Sequence, residues 1–206
     1  KGFLKRARKD LYYNAERLKN FYKLALKIKG GYIGLNSALR YYNLLEYEDF
    51  TMFIMTKDFQ KKINLIGTQY VVQFIPLKSL FIGFNKKDDI YIPSIEKTLF
   101  DCFLKPKFVG FTNITKALYD ARIDWNKFIA FFKMTKNNSL YQRTGYILEL
   151  MKKKTKFKVP PFVFEFLFKK VKNPVKLIPI MTKSKFNKKW KIQDNVGEKN
   201  ILSWWY

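Results

Sequence analysis

The hydrophobic pattern of this 206-residue chain changes near Pro93, and this change constrains the fold more than any other feature. Before Pro93, the segments TMFIMT, YVVQFIP, FIGF and DIYI are rich in β-branched and aromatic residues and are separated by turn residues, which predicts strands. After it, apolar residues recur at helical spacing behind capping residues such as Ser94 and Asp124, which predicts helices. Strands followed by helices predict an α+β fold rather than an alternating α/β fold.

Residues 1–13 predict a β-hairpin with a basic tip. Phe3, Leu4, Leu11 and Tyr13 give its flanks apolar surface to bury, and the cations around its turn are Lys5, Arg6, Arg8 and Lys9. Two strands alone are marginally stable in water, so the hairpin needs further partners. Because the chain begins with lysine and not with methionine, we expect further residues upstream of it.

Residues 14–206 are predicted to form one α+β domain with a small, mostly antiparallel sheet and several helices. Asn14 is the predicted cap of a first amphipathic helix, and Ser139 that of the helix over YQRTGYILELM. The segments VKLIPIM and KWKIQ are predicted as closing strands, with residues 204–206 as a packed last strand.

The charge balance predicts an anionic partner. The chain has 41 Lys and Arg against 16 Asp and Glu, a net charge of +25, which is far more than solubility requires. Nucleic acid is the commonest such partner, and an acidic membrane surface is second. No uncharged stretch is long and apolar enough to span a membrane. The lone cysteine, Cys102, excludes an internal disulfide and suits a reducing cytoplasm.

The absence of histidine removes most catalytic classes. Ser-His-Asp and Cys-His catalysis and imidazole-based zinc sites are excluded, and the phosphate-binding glycine motifs are missing from the sequence. Glu96, Lys97 and Asp101 could serve a metal-dependent nuclease. However, Lys97 and Asp101 are spaced to form a pair on one helix face, and Glu96 is favoured near a helix start. We therefore expect no enzymatic activity, no metal and no cofactor, with the nuclease as the least favoured alternative.

Four segments, taken in order, resemble the AbiEi family, the antitoxin and transcriptional regulator half of type IV abortive-infection toxin–antitoxin systems. They are GFLKRARKDLYY, YIGLNSALRYYNLL, IPSIEKTLFDCF and YQRTGYILELM. Each segment is a loose pattern of apolar spacing with a few polar residues, so the resemblance depends on their order and separation. Asp10 and Asn43 stand where the family commonly has glycine.

The resemblance implies a winged-helix repressor. Residues 1–13 would be the wing of an N-terminal winged helix-turn-helix whose recognition helix lies upstream, and 14–206 would be the antitoxin and multimerisation domain. The implied partners are double-stranded operator DNA, a cognate nucleotidyltransferase-like toxin that need not form a stable complex, and further copies of the chain on DNA. The implied DNA contacts are Lys5, Arg6, Arg8, Lys9 and Arg17.

The same resemblance implies a buried polar scaffold. Its candidate residues are Ser37, Glu96, Lys97, Asp101, Arg143, Gly145 and Glu149. Arg143 is expected to pair with Asp101 or Glu96, and a role of these residues in contacting the toxin is the rival interpretation.

A structured-RNA-binding protein is the alternative function. Diffuse lysine and 13 tyrosines suit backbone and stacking contacts with RNA. No motif of a known RNA-binding module is present in the sequence, which favours the DNA-binding hypothesis.

Overall fold

The computed structural model describes residues 3–47, 50–179 and 184–206. Its internal contacts divide the chain into two compact units, Lys1–Ser94 and Ile95–Tyr206. The division lies one residue beyond Pro93, where the hydrophobic pattern changes, and it falls inside the range 14–206 that the sequence analysis treats as one domain. Helices combined with small sheets confirm the α+β class.

The first unit contains two short helices and most of the strands. The elements in chain order are β1 (Lys5–Arg8), β2 (Leu11–Tyr13), α1 (Phe21–Ile28), β3 (Tyr32–Ile33), α2 (Leu35–Tyr41), β4 (Thr51–Thr56), β5 (Lys61–Asn64), β6 (Val71–Pro76), a 3₁₀ turn (Lys78–Leu80), β7 (Phe84–Lys87) and β8 (Ile90–Pro93). The four-stranded sheet has the order β3-β4-β6-β5, and β1–β2 and β7–β8 form separate two-stranded sheets.

The central strand pair of this sheet, β4–β6, is parallel. Thr51 pairs with Val71 and Thr56 with Pro76, whereas β3–β4 and β5–β6 are antiparallel. Most strand pairs are thus antiparallel as predicted, but the middle of the sheet is not. The strand β5 was not predicted, because it reads KKIN, lies at the sheet edge and is largely exposed.

The predicted N-terminal hairpin is confirmed over its described residues, and it packs on the first unit. Lys5 pairs with Tyr13 and Arg8 with Leu11, around a turn in which Asp10 has φ +59°. Ala7, Leu11 and Tyr13 contact the hydrophobic core that α1 and the four-stranded sheet share. Because its inner face is covered in this way, the hairpin belongs to the first unit.

The predicted start of α1 is wrong. The side chain of Asn20, not of Asn14, caps α1 by accepting a hydrogen bond from the Lys23 amide at 3.0 Å. Asn14 instead accepts from the amide of Glu16 in the turn before the helix. Both asparagines can cap a backbone turn, so the sequence alone does not distinguish them.

The second unit is mainly helical. The elements are α3 (Ile95–Leu104), α4 (Pro106–Val109), α5 (Phe111–Asp120), α6 (Trp125–Lys133), α7 (Asn138–Lys154), α8 (Pro161–Phe168), β9 (Val175–Lys176), β10 (Lys185–Asn187), β11 (Ile192–Asp194) and α9 (Glu198–Ile201). The small sheet has the order β10-β11-β9, with β9 parallel to β11.

The predictions for this unit are confirmed in the middle and fail near the end. Asp124 caps α6 through its side chain as predicted, whereas Asn137 rather than Ser139 caps α7. The strand predicted over VKLIPIM is confirmed only at Val175–Lys176, and residues 180–181 lie outside the described residues. The last residues form α9 and a turn, so the predicted final strand is wrong.

Within the described ranges, helices with both the length and the apolar character of a membrane-spanning segment are absent.

Candidate nucleic-acid interface

The tip of the N-terminal hairpin presents cations to solvent. Arg6, Arg8 and Lys9 are exposed and Lys5 is half-buried. The Arg6 Nε donates to the backbone carbonyl of Arg8 at 3.3 Å, across the irregularity in strand pairing between these two residues. None of the four side chains forms an ion pair with an acidic residue in the described part of the chain, so their charge is available to an external anion.

The other face of the hairpin is anchored. Tyr13 is buried, and its hydroxyl donates to the carbonyl of Ile66 at 2.8 Å, which ties β2 to the turn between β5 and β6. Burial also raises the pKa of Tyr13. Lys5 lies over the same turn, since a methyl group at Gly67 would approach its Cε to 3.6 Å. These contacts therefore fix the position of the basic tip on the first unit.

Arg17 is exposed in the turn that leads into α1. The structure thus brings Lys5, Arg6, Arg8 and Lys9 together on one hairpin and places Arg17 outside it on the same unit.

Ser37 joins α2 to β4. Its buried hydroxyl accepts from the Phe53 amide at 3.0 Å, and the Nη2 of Arg40 lies 3.4 Å from it. Arg40 Nη2 also lies 3.4 Å from the carbonyl of Thr51. These contacts hold the buried Ser37 hydroxyl between α2 and β4.

Glu96, Lys97 and Asp101 are buried in the second unit. The Lys97 ammonium forms an ion pair with the Asp101 carboxylate one helical turn away, and both side chains are fully inaccessible to solvent. Burial lowers the pKa of Lys97, and the nearby Asp101 opposes that shift. The ammonium also lies 5.3 Å from the ring centre of Phe100. A buried carboxylate held in this way is closed to a substrate.

Glu96 fixes the start of the neighbouring helix α6. Its Oε1 accepts from the backbone amide of Asp124 at 3.2 Å, and Asp124 in turn accepts from the amides of Asn126 and Lys127. The motif that suggested a nuclease centre therefore serves helix packing at each of its three polar positions.

One face of α7 holds the small C-terminal sheet. Gln142 Nε2 donates to the carbonyls of Asn173 and Trp190 at 2.9 and 3.0 Å, and Arg143 Nε donates to the carbonyl of Lys176 at 3.0 Å. The Tyr146 hydroxyl donates to Asp194 Oδ2 at 2.8 Å. Four residues of the returning chain, two on each side of residues 180–183, are thus hydrogen-bonded to a single helix.

The ion pair expected between Arg143 and Asp101 or Glu96 is not formed. Arg143 points to the β9 backbone, and Asp101 is paired with Lys97 on its own helix. The expectation failed because a guanidinium can be satisfied by backbone carbonyls, which carry no sequence signal.

Gly145 and Glu149 together hold the indole of Trp190. Trp190 is fully buried, and its Nε1 donates to Glu149 Oε2 at 2.5 Å. A Cβ atom at residue 145 would lie 2.1 Å from the indole Cζ3, so only glycine leaves room for this ring. Lys189 Nζ contacts the other carboxylate oxygen of Glu149 at 2.7 Å.

The sequence analysis missed Gln142, Tyr146, Trp190 and Asp194 as members of this scaffold. The spacing of Gln142, Tyr146 and Glu149 places them on one helical face, which is the signal that could have identified the first two. No spacing in the sequence indicated their partners Trp190 and Asp194.

Comparison of the chain with models of known protein families and with curated proteins gives no match.

Proposed function

We propose that this protein is a DNA-binding transcriptional repressor and antitoxin of the AbiEi type, which regulates its own toxin–antitoxin operon. The observation that carries the proposal is the hairpin tip, where exposed Arg6, Arg8 and Lys9 have no acidic partner among the described residues. Two of the six arginines of the chain lie in this tip. The rest of its excess charge is lysine, which attracts phosphates without reading bases.

The chemistry of the tip suits the edge of a DNA groove. A guanidinium donates two parallel hydrogen bonds to a phosphate, or enters a narrow minor groove where the negative potential is strongest. Lys5 on β1 and Lys9 in the turn after it supply further phosphate contacts. Anchoring by Tyr13 limits the conformational entropy that the tip loses on binding.

The second unit needs no chemistry of its own in this proposal. The polar residues of its motifs support the fold: Lys97 and Asp101 inside α3, and Arg143, Gly145 and Glu149 beneath the C-terminal sheet. This arrangement favours the scaffold interpretation over direct toxin contact for those residues.

The test is the salt dependence of DNA binding. Fluorescence anisotropy with a short duplex from the region upstream of the gene should give an affinity that falls steeply between low and moderate salt. The double variant Arg6→Ala/Arg8→Ala should weaken binding and reduce the slope of log K against log salt by about 0.9 for each lost phosphate contact.

The control variant Lys61→Ala/Lys62→Ala removes the same charge from the exposed strand β5. If both variants weaken binding equally, the tip is not a specific contact and only diffuse charge acts. If the protein ignores duplex DNA at low salt, the repressor proposal fails. Tighter binding to a structured RNA than to the duplex would instead establish the RNA-binding alternative.

The antitoxin part has a separate test. The open reading frames next to the gene should include a nucleotidyltransferase-like toxin, and co-expression of this chain should restore growth of cells that produce it. An unchanged growth arrest would refute the antitoxin role without affecting the DNA-binding result.

A further inference from the structure

A cleft of ≈ 680 Å³ in the first unit is lined by aromatic rings and cations. It lies where β4 ends at Thr56 and is closed on one side by the residues around the 3₁₀ turn. The side chains that define it are Phe59, Phe81, Phe84, Tyr91, Lys29 and Lys57. This volume is within the range of sites for small organic molecules.

The aromatic rings of one wall are held in place from behind. Buried Tyr32 stacks on Phe84 with ring centres 4.6 Å apart and on Phe81 at 5.4 Å. Phe84 in turn meets Tyr91 edge to face at 6.0 Å. These ring contacts leave Tyr91, the outermost ring, exposed but held in one orientation. Tyr91 therefore loses less conformational entropy when a ligand binds to it.

A second group of lining residues combines a ring with positive charge. Phe59 packs edge to face on Phe74 at 5.2 Å, and the Lys29 ammonium lies 5.3 Å from the centre of the Phe59 ring. Lys57 is exposed beside it. Neither lysine forms an ion pair with an acidic residue that the structure describes. The neighbouring Asp58 is exposed and offers an acceptor for hydroxyl or amino groups.

Gly30 lines the cleft and is exposed. A Cβ atom there would meet no heavy atom within 4 Å, whereas one at Gly31 would lie 2.3 Å from the carbonyl oxygen of Met55. Gly31 is therefore required by the approach of β3 to β4, but Gly30 has no such packing reason. A bulky side chain at residue 30 is therefore compatible with the fold and should compete with a ligand for space at the cleft.

We propose that this cleft binds a nucleotide. The planar base stacks on the exposed ring of Tyr91 and the half-buried rings beside it, Lys29 and Lys57 bind its phosphate, and Asp58 accepts from a sugar hydroxyl or an exocyclic amine. Rings that stack every base and cations that follow the backbone are the combination found in sites for unpaired nucleotides. The ligand is either a free nucleotide or one unit of a single strand.

This site is distinct from the hairpin tip and does not depend on the repressor proposal. The hairpin contacts the turn between β5 and β6 near Gly67, whereas the cleft begins at Thr56, where β4 ends. Since Thr51 of β4 pairs with Val71, just beyond that turn, the two features lie at opposite ends of the sheet.

The test uses the fluorescence of 2-aminopurine, which is quenched when the base stacks. The probes are 2-aminopurine nucleoside monophosphate and a short oligothymidylate with one central 2-aminopurine. We expect saturable quenching, a rise of about ten-fold in Kd for Tyr91→Ala, and loss of binding for Gly30→Trp. Lys29→Gln/Lys57→Gln should weaken binding by a similar factor and reduce its salt dependence.

Lys61→Gln/Lys62→Gln, which removes two exposed lysines on β5, is the matched control and should bind as the original chain does. Circular dichroism and thermal unfolding verify that each variant is folded. Quenching by both probes identifies a free-nucleotide site, and quenching by the oligonucleotide alone identifies a single-strand site. If neither probe is quenched, or if Gly30→Trp leaves the quenching unchanged, the proposal is overturned. Arg6→Ala/Arg8→Ala should not affect this assay.

Discussion

The substitution Gly145→Ala tests whether the indole of Trp190 organises the second unit. In an exposed helix, alanine in place of glycine stabilises the folded state by about 1 kcal/mol. Here the added methyl group would lie 2.1, 2.2 and 2.6 Å from three ring carbons of Trp190, and no carbon pair can approach so closely. The helical preference and the packing therefore predict opposite signs for the change in the free energy of unfolding.

The destabilisation from overpacking should exceed the stabilisation from the helical preference of alanine. Inserting a methyl group into a closed site costs typically about 1–3 kcal/mol, and a rigid ring that is fully buried and bonded to Glu149 places this site at the upper end. After subtracting the helical gain, we expect Gly145→Ala to lower the free energy of unfolding by about 2 kcal/mol.

The measurement is urea unfolding followed by tryptophan fluorescence. All four tryptophans of the chain lie between residues 95 and 206, so the signal reports on the second unit alone. In the double variant Gly145→Ala/Trp190→Phe, the smaller ring makes room for the methyl group. The double variant should therefore lose less free energy of unfolding than the sum of the losses of the two single variants. A Gly145→Ala protein as stable as the original would refute this account of α7.

Three further predictions concern stability. Lys97→Met should cost about 3–5 kcal/mol in urea unfolding, because it removes the ammonium that pairs with the buried Asp101 carboxylate, and Lys97→Met/Asp101→Leu should recover most of that loss. Burial raises the pKa of Glu149, but hydrogen bonds from Lys189 and Trp190 outweigh burial and hold it below its ordinary 4.5. Its stabilising effect is thus present above pH 4.5 and lost as pH falls through the lowered pKa, so Glu149→Gln should flatten the decline of thermal stability in acid. Asn43 has φ +55°, so Asn43→Ala should destabilise the first unit by about 1 kcal/mol, whereas Asn43→Gly should not.

Local signals account for the parts of the fold that the sequence predicted well. The helix after Ser94, the cap at Asp124 and the hairpin before Asn14 each depend on residues that are close together in the sequence. Asp10 and Asn43 both have positive φ, a conformation that asparagine and aspartate adopt more readily than most residues.

Long-range pairings explain the failures. Whether β4 pairs with β6 in parallel depends on how the chain crosses between them, which the apolar run in either strand does not encode. The partner of Arg143 is a backbone carbonyl 33 residues away, and a carbonyl is the same in every residue. The cleft beside Lys29 likewise combines residues from three separated segments, so no spacing in the sequence indicated it.

The exposed edge of the four-stranded sheet has a consequence for how concentrated this protein can become. An open edge strand invites another chain to extend the sheet, which is a route to aggregation. At β5 that approach would bring Lys61 and Lys62 of one molecule against the same residues of another, on chains that each carry a net charge of +25. Repulsion keeps such copies apart in dilute buffer, and added salt progressively removes the protection.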